Sequence, residues 1–484
     1  MTPPTIRSVL EPLLKGKGGA ERLQTLIASG VGPAPDGKYR HWDVLRHMTP
    51  PTNLTTEEWW LAIKFARQSH WHPFPLEDVK HEPFRYVLTD GVLRMLSDID
   101  RNAGGPIAVS DQVTNPQTRD TYIIKSLIEE AITSSQLEGA STTRDVAKEM
   151  IQTGRKPRDR SETMIYNNYQ AMQFIRDLRG QPLTPKIVLE LQRILTHGAI
   201  DDPDAAGRFR RSDEPVAVVD PIGTVLHTPP AAPELPGRME AMCAFANGRD
   251  EKVFMHPVIR AIILHLWLAY DHPFVDGNGR TARALFYWSM ATQGYWLCEF
   301  ISISKILKKA PSSYSRAFLY TETDDNDATY FILYQLRVIA QAIEALHLYL
   351  ERKSRELRDV NEMIRRSRVI RDELNHRQLA LLNHALKHPF ATYTIESHRR
   401  SHSVSYQTAR TDLLGLASHH LLDSGKSARA FVFTAPPDLQ QRLKRLSGTA
   451  TARRERVSAG RTGRVEQASS SSGGRTPPGE GTTG

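Results

Sequence analysis

The side chains best suited to chemistry lie in one stretch, residues 271–283, which reads DHPFVDGNGRTAR. His272 is the only side chain in it that titrates near neutral pH, so it is the candidate general base. Asp276 offers the hard oxygen ligands that Mg²⁺ prefers. The stretch therefore has the groups needed to hold a metal-bound polyphosphate beside a base.

The second half of the stretch predicts an anion-binding turn followed by a helix. Gly277 and Gly279 flank Asn278, and glycines let the backbone turn sharply and present its N–H groups to an anion. A helix that starts near Arg280 adds the partial positive charge of its N-terminus. Arg280 and Arg283 share one face of that helix, where both can point at phosphates.

The elements that position this stretch are predicted to be helices, and the fold class to be mainly α. Residues 261–270 are apolar nearly all round, which is typical of a central bundle helix that delivers His272 at its end. Residues 284–292 continue a second helix after the glycines. A long helix with apolar residues at helical spacing is predicted at 330–350.

From His272 to Arg283 the sequence resembles the core motif of the Fic family, HPFx(D/E)GNGRxxR, without a departure. The resemblance implies a Fic-type helical bundle with a small hairpin flap. It also implies an enzyme that transfers AMP from ATP to a Ser, Thr or Tyr hydroxyl of a target protein, with Mg²⁺. In that reaction His272 takes the proton of the target hydroxyl and Asp276 holds Mg²⁺.

The same resemblance implies roles for the anion-binding residues. Residues 277–279 cradle the α-phosphate through backbone N–H groups and the Asn278 side chain. Arg280 neutralises charge as pyrophosphate leaves, and Arg283 orients the γ-phosphate. Phe274 is expected to be an apolar anchor of the loop and to have no catalytic role.

A helix predicted at 122–136 ends in the sequence SSQLEG, where Gly139 is well placed to stop it. Beside the core motif, this segment resembles the inhibitory pattern of Fic proteins, (S/T)xxxE(G/N). The resemblance implies that Glu138 binds Arg283 and removes the arginine that would hold the γ-phosphate. A carboxylate and a phosphate compete for the same guanidinium fork.

A β-hairpin is predicted at 216–227, where two β-prone runs flank the turn sequence DPIG. A lone hairpin in a helical chain is marginal unless it has a task. In Fic proteins this position is the flap, which pairs with an extended segment of the target by strand addition. Its docking residues here would be Val216, Ala217, Val218 and Val219. A purely structural hairpin is the alternative.

The C-terminal quarter carries the basic excess of the chain. Residues 361–484 contain twenty Lys or Arg and ten Asp or Glu, against a net charge of +9 for all 484 residues. Residues 374–440 resemble a winged helix-turn-helix, whose third helix would present Ser405, Tyr406, Gln407 and Arg410 to DNA. Such modules also serve as protein interfaces, and both alternatives stay open.

Five regions are predicted along the chain. They are an N-terminal helical region at 1–115, the Fic core at 116–350 with the inhibitory helix at about 120–139, a helical connector at 351–373, the winged helix-turn-helix at 374–440, and a tail at 447–484. The tail is rich in Ser, Gly, Thr and Arg and is expected to be disordered.

The remaining composition indicates a cytoplasmic protein without a membrane segment. Cys243 and Cys298, the two cysteines, read as core residues in a reducing compartment. A homodimer is compatible with the sequence. Two other functions stay open: a Fic enzyme that removes AMP or transfers another nucleotide, and a DNA-binding transcriptional regulator whose Fic core senses a ligand.

Overall fold

A computed structural model of the protein describes residues 2–51, 53–104, 116–219, 222–248, 254–366, 374–388, 390–427, 430–443 and 445. The chain divides into two compact units, one of residues 1–108 with 121–347, the other of residues 109–120 with 348–484. Helices dominate, and the described sheets are small and antiparallel. The predicted mainly α fold class is confirmed. The predicted tail at 447–484 lies outside the described residues.

The first unit begins with a region of short helices and one hairpin. Its elements are α1 (Ile6–Lys15), α2 (Gly19–Ala28), α3 (Trp42–Leu45), α4 (Thr56–Gln68), β1 (Trp71–Glu77), β2 (Pro83–Val87), α5 (Asp90–Ile99) and a π-helical segment (Asp100–Gly104). The Thr55 hydroxyl caps α4 and Glu58 completes a capping box, as the TEE sequence before its two tryptophans leads one to expect.

The β1–β2 hairpin departs from the helical N-terminal region that the sequence analysis expected. β1 pairs with β2 antiparallel, and the inward side chains of Phe74, Leu76, Phe84 and Tyr86 are buried. The local sequences HPFPLE and PFRYV alternate apolar and polar residues with the period of two that a half-buried strand needs. The alternation is short and lies between stronger helical patterns, so the sequence predicts only helices in this region.

Buried charges join this N-terminal region to the rest of its unit. The Lys64 ammonium on α4 lies 2.6 Å from the Asp324 carboxylate, and Arg67 donates to the Tyr330 hydroxyl at 2.6 Å. All four side chains are buried. A buried charge is tolerated only with a partner, so these pairs fix how α4 packs on the helices that follow.

The remaining elements of the first unit surround two central helices. They are α6 (Pro116–Leu137), α7 (Arg144–Thr153), α8 (Arg160–Asp177), α9 (Pro185–Thr196), β3 (Val218–Val219), β4 (Val225–His227), α10 (Leu235–Ala246), α11 (Pro257–Asp271), α12 (Asn278–Thr292), α13 (Ile303–Leu307), α14 (Pro311–Thr323) and α15 (Thr329–Arg366). Short 3₁₀ turns lie at Pro35–Gly37, Pro203–Ala205, Ala232–Glu234 and Trp296–Phe300.

α11 and α12 form the centre of the bundle. Thirteen of the fifteen residues of α11 are buried, and so are twelve of the fifteen of α12. A helix that is apolar all round must be enclosed by other elements, and these two pack on each other. The loop between them, residues 272–277, carries the first half of the core motif.

α15 is the one segment in the described part of the chain that is long and apolar enough to cross a membrane, at Thr329–Arg352. Its most apolar window is 56% buried within the protein. Phe331, Leu336 and Ile339 are fully enclosed. That burial is what a core helix of a bundle shows. The helix runs on to Arg366 through the described part of the predicted connector, and positions 367–373 lie outside the described residues.

The second unit contains a small mixed module. Its elements are α16 (His376–Lys387), β5 (Thr392–Thr394), α17 (Ile395–His402), α18 (Tyr406–Ser418), β6 (Asp423–Ser427) and β7 (Ala430–Thr434). The strands form one antiparallel sheet in the order β5-β7-β6. Its own core includes Leu382, Leu413, Leu416 and Phe433, all fully buried.

Candidate active site

His272 lies directly after α11, in the left-handed region at φ 44°. Its backbone N–H donates to the Leu268 carbonyl at 3.0 Å, and its ring Nδ1 lies 3.2 Å from the Ala269 carbonyl oxygen. Because a carbonyl can only accept, Nδ1 carries the proton and Nε2 keeps a free lone pair. Burial lowers the pKa of His272 to about 4. The imidazole is therefore neutral near pH 7 and can accept a proton at Nε2.

The Asn278 side chain holds the loop together and does not point outward. Its Oδ1 accepts from the Phe274 N–H at 2.9 Å, and its Nδ2 donates to the Phe274 carbonyl at 2.8 Å. Both residues are buried. Both polar atoms of the amide are thus bonded to Phe274 within the loop, which departs from the expectation that the Asn278 side chain contacts a phosphate. Phe274 is the buried apolar anchor that the sequence led one to expect.

Asp276 and Arg280 hold each other. One guanidinium nitrogen of Arg280 lies 2.9 Å and 3.0 Å from the two carboxylate oxygens of Asp276. A second nitrogen donates to the Leu195 carbonyl at 3.0 Å. Arg280 is fully buried, whereas a third of the Asp276 side chain is exposed. The expected metal ligand and the expected phosphate ligand are therefore neighbours, with the carboxylate nearer to solvent.

Arg283 is fixed from one side by the end of α6. Its Nε donates to the Ser134 hydroxyl at 2.8 Å, and its Nη2 donates to the Ser134 carbonyl at 3.0 Å. The same Nη2 donates to Glu138 Oε1 at 2.8 Å. Arg283 is buried and Glu138 is about one third exposed, at 32% of its side chain. The structure thus brings the expected inhibitory carboxylate onto the expected arginine.

Glu138 also lies over the first turn of α12. A Cβ atom added to Gly279 would lie 2.2 Å from Glu138 Oε1 and 3.0 Å from Arg283 Nη1. A larger residue at 279 would have to displace the carboxylate or the guanidinium from these positions. Gly277, at φ 87°, caps the same helix end. The carboxylate thus occupies the anion site formed by a helix N-terminus and an arginine.

Residues 182–290 match the model of the Fic/DOC family. This part of the chain is similar to Fic/DOC domains. It includes the hairpin, His272 and Arg283, whereas Glu138 precedes it.

Two curated relatives, both described as protein adenylyltransferase Fic, resemble part of the chain. The one from Nematostella vectensis is 29% identical over 161 residues, which are 31% of this chain and 34% of the relative. The one from Drosophila ananassae is 34% identical over 128 residues, 26% of this chain and 23% of the relative. The matched chain spans about a third of the first relative's length and less of the second's.

Solved Fic structures resemble the chain at low identity. A Fic family protein from Desulfovibrio desulfuricans is 18% identical, with a TM-score of 0.48, covering 72% of this chain and 97% of that one. Fic-1 from C. elegans is also 18% identical, with a TM-score of 0.44, covering 73% of this chain and 90% of that one.

The hairpin of the Fic domain is shorter than predicted. Val218 pairs with His227 and Val219 with Val225, with an irregularity between them. Val216 and Ala217 precede the strand, so the described pairing begins at Val218. Residues 220–221 of the predicted turn lie outside the described residues. Val219 is 54% exposed, so β3 presents a side chain to solvent.

Two residues that hold this site together were not predicted as part of it. Arg210 donates from Nε to the His272 carbonyl at 3.0 Å and from Nη2 to the Pro230 carbonyl. Its backbone N–H donates to the Pro273 carbonyl at 2.9 Å. His227, at the end of the hairpin, contacts the last turn of α11. Their partners are distant in sequence, so no local pattern indicates these contacts.

Tyr314 and His265 form a second layer behind Arg283. The Tyr314 hydroxyl lies 2.8 Å from His265 Nε2 and also interacts with Arg283. Burial raises the pKa of Tyr314 to about 12 and lowers that of His265 to about 3. Both side chains are therefore neutral near pH 7. The His265 ring is fully buried.

The expected DNA-contacting residues lie at the start of α18 in the second unit. The Ser405 hydroxyl caps the helix by accepting from the Thr408 N–H at 3.1 Å. Tyr406, Gln407 and Arg410 lie on the exposed face of the helix. Ser405 therefore caps α18, and the other three side chains, those of Tyr406, Gln407 and Arg410, are exposed to solvent.

Proposed function

We propose that this protein transfers AMP from ATP to a Ser, Thr or Tyr hydroxyl of a target protein, and that Glu138 holds the activity off. The observation that carries the proposal is the Glu138–Arg283 pair at the N-terminus of α12. It places a carboxylate in an anion site next to a neutral histidine whose Nε2 is free. The names of the curated relatives support the same activity.

His272 acts as the general base. The hydrogen bond from Nδ1 to the Ala269 carbonyl fixes the tautomer and aims Nε2 away from α11. A target hydroxyl held within hydrogen-bond reach of Nε2 loses its proton to it as the oxygen attacks the α-phosphorus of ATP. The bond to the pyrophosphate leaving group breaks in the same step, so the hydroxyl gains AMP.

The phosphates lie at the N-terminus of α12. The backbone N–H groups of the first turn, after Gly277, are free of intrahelical partners and suit an anion. Arg280, fully buried, supplies positive charge as the pyrophosphate leaves. Arg283 binds the γ-phosphate with the guanidinium edge that Glu138 otherwise occupies.

Asp276 is the residue that would hold Mg²⁺. No group of three His, Cys, Asp or Glu side chains that could hold a metal is found in the described part of the chain. Mg²⁺ bound with a nucleotide commonly uses one or two carboxylates and the phosphates themselves, so one partly exposed carboxylate fits. When bound, the ion would neutralise charge on the phosphates.

β3 positions the target. In the described part of the chain β3 pairs only with β4, so its other edge can accept an extended segment by strand addition. Backbone hydrogen bonds then set the register of the target, and Val218 and Val219 contact its side chains. The hydroxyl to be modified would be carried to His272 by this pairing.

A labelling experiment tests the proposal. Glu138→Gly protein is incubated with Mg²⁺ and ATP labelled at the α-phosphate, alone and with a cell lysate. We expect protein-bound label to rise well above that of the unmodified chain and to vanish when His272→Ala is added. Glu129→Gln is the matched control, because Glu129 lies on α6 but pairs with Arg144 instead of Arg283.

The negative outcome is equally clear. If Glu138→Gly labels neither itself nor any lysate protein, the transferase proposal is wrong. Release of AMP from a labelled protein by the unmodified chain would instead favour the AMP-removing alternative. Mass spectrometry of the labelled product would report the mass of the transferred group.

We also propose that the module at 374–440 is a winged helix-turn-helix that contacts DNA. Its element order, helix–strand–helix–helix–strand–strand with the sheet order β5-β7-β6, supports the fold. Arg410 is exposed on α18 without an ion-pair partner in the described part of the chain. Other arginines there contact carboxylates: Arg377 pairs with Asp412, and Arg399 and Arg400 share Glu396.

A gel-shift series over salt concentration tests the DNA contact. Arg410→Ala should weaken binding and make it less dependent on salt, because one phosphate contact is lost. Arg400→Ala, which removes a cation already paired with Glu396, is the control and should change binding less. Absence of any shift at low salt would refute DNA binding.

A further inference from the structure

His227 makes two hydrogen bonds that fix its charge. Its Nε2 lies 2.7 Å from the Tyr270 carbonyl oxygen, and its Nδ1 lies 2.7 Å from a carboxylate oxygen of Glu322. A carbonyl oxygen accepts, and so does an ionised carboxylate. Both ring nitrogens must therefore donate, and only the doubly protonated imidazolium can do so. His227 is buried, at 8% exposure, so this cation is held by the protein and not by water.

The two bonds join three separate elements. His227 ends β4, Tyr270 lies in the last turn of α11, and Glu322 lies on α14. Tyr270 is two residues before His272. Val218 on β3 pairs directly with His227 across the hairpin. The position of the free edge of β3 relative to the His272 imidazole is thus set through one side chain.

We propose that His227 and Glu322 form a charged latch that positions the hairpin, and with it a docked target hydroxyl, opposite His272. This inference rests on the proposed function of the hairpin as the docking element. Neither residue touches the nucleotide or the reacting atoms, so both are positioning residues. A hairpin of two- and three-residue strands is marginal by itself, which explains why it needs such an attachment.

The other attachment of this region does not replace the latch. Arg210 ties the His272 carbonyl to the Pro230 carbonyl, three residues beyond the end of β4. It therefore fixes the exit of the hairpin but not the register of its strands. The latch acts on His227 itself, which pairs with Val218 across the hairpin. Loss of the latch should loosen the hairpin while leaving the loop around His272 in place.

The charged surroundings of His227 make the latch sensitive to pH. Burial lowers the pKa of His227, but the hydrogen bond and charge of Glu322 outweigh burial, and the net shift is upward. The other titratable groups nearby are Asp271, which Arg238 neutralises at 2.6 Å, and the Tyr270 and His272 rings. A raised pKa means that the latch is complete below the ordinary pKa of about 6.5 and is lost as pH rises through the raised value.

Hydrogen exchange on the full chain tests the latch without requiring any activity. Backbone amides at 216–227 should exchange at least several-fold faster in His227→Gln and in Glu322→Gln than in the unmodified chain at about pH 6. The double variant should exchange no faster than His227→Gln alone, because Glu322 acts on the hairpin only through the His227 imidazole. In the unmodified chain the protection should fall as pH rises through the raised pKa of His227, by more than the change in the intrinsic exchange rate accounts for.

His256→Gln is the matched control. His256 also pairs with a carboxylate, its Nε2 lying 3.0 Å from Asp100, but it lies at the opposite end of α11. Its replacement should leave exchange at 216–227 unchanged. Equal protection of the hairpin in His227→Gln and the unmodified chain, or an effect of the same size in His256→Gln, would overturn the latch.

An activity measurement links the latch to positioning. In the Glu138→Gly background, His227→Gln should raise the KM for the target protein several-fold and leave the KM for ATP unchanged. A change confined to the KM for ATP would overturn the positioning role. If the Glu138→Gly protein is inactive, the proposed function fails, whereas the exchange result still decides whether the latch exists.

Discussion

Asn278→Ala distinguishes two roles of the Asn278 side chain, which are to hold the loop at Phe274 and to contact a phosphate. The structure uses the amide as a clamp on Phe274, with bonds of 2.9 Å and 2.8 Å. Removing it deletes two buried hydrogen bonds of about 1 kcal/mol each and leaves two backbone groups unpaired. We expect the loop to open more easily by about 2 kcal/mol, which is roughly a 30-fold rise in the opening constant.

Native-state hydrogen exchange at the Phe274 amide measures this change directly, because that N–H donates to Asn278 Oδ1. The chain offers a matched control. Asn247 makes the same two-bond clamp on Leu183, with both distances at 2.8 Å, outside the loop that carries His272. Asn247→Ala should raise exchange at Leu183 by a similar factor and leave Phe274 unchanged.

The exchange rate at Phe274 and the activity together decide whether the Asn278 amide clamps the loop or contacts the nucleotide. Unchanged exchange at Phe274 in Asn278→Ala, with labelling activity lost in the Glu138→Gly background, would show that the amide contacts the nucleotide and that the clamp is unimportant. Faster exchange at Phe274 with activity lost is the expected outcome. Faster exchange there in Asn247→Ala would show that the loop responds to any loss of stability.

Two further predictions concern Glu138 and His272. In a His272→Ala background, Glu138→Gln should bind a non-hydrolysable ATP analogue about tenfold more tightly, as measured by calorimetry. The reason is that the charge-assisted bond from Arg283 to Glu138, discounted for a carboxylate that is 32% exposed, is worth about 1–2 kcal/mol. Glu129→Gln is the control, and equal affinities of the Glu138→Gln and unmodified proteins for the analogue would contradict the competition between Glu138 and ATP. The labelling rate of Glu138→Gly should stay flat as pH falls to about 5 and decline only below it, because burial lowers the pKa of His272 to about 4 and loss of the Glu138 charge lowers it further. A midpoint near the ordinary value of about 6.5 would contradict the buried base.

Local features of the site could be predicted because they depend on residues that are close together in the sequence. The buried helix before His272, the glycine turn and the helix that carries Arg280 and Arg283 follow from periodicity and backbone freedom. The pairing of Glu138 with Arg283 links residues 145 positions apart, and only the family resemblance suggested it. Periodicity would have placed Glu138 at a helix end and said nothing of its partner.

Partners that depend on tertiary packing could not be predicted. The sequence motif suggested that Asn278 faces a phosphate, because a motif names residue types but not the direction of a side chain. His227 and Arg210 acquire their tasks from Tyr270, Glu322 and the loop carbonyls, which come together only in the folded bundle. The β1–β2 hairpin was missed because its alternation is short and lies between stronger helical patterns.

The close approach of Glu138 to Gly279 has a consequence for how substitutions combine. In the unmodified chain, Gly279→Ala should destabilise the fold, since its methyl group would lie 2.2 Å from the carboxylate. Once Glu138 is replaced by glycine, the same alanine should be tolerated or slightly favourable in the first turn of a helix. The two positions should therefore be strongly non-additive in a double-mutant cycle. A side chain at position 279 has to displace the Glu138 carboxylate, so a change of residue at 279 is coupled to what stands at 138.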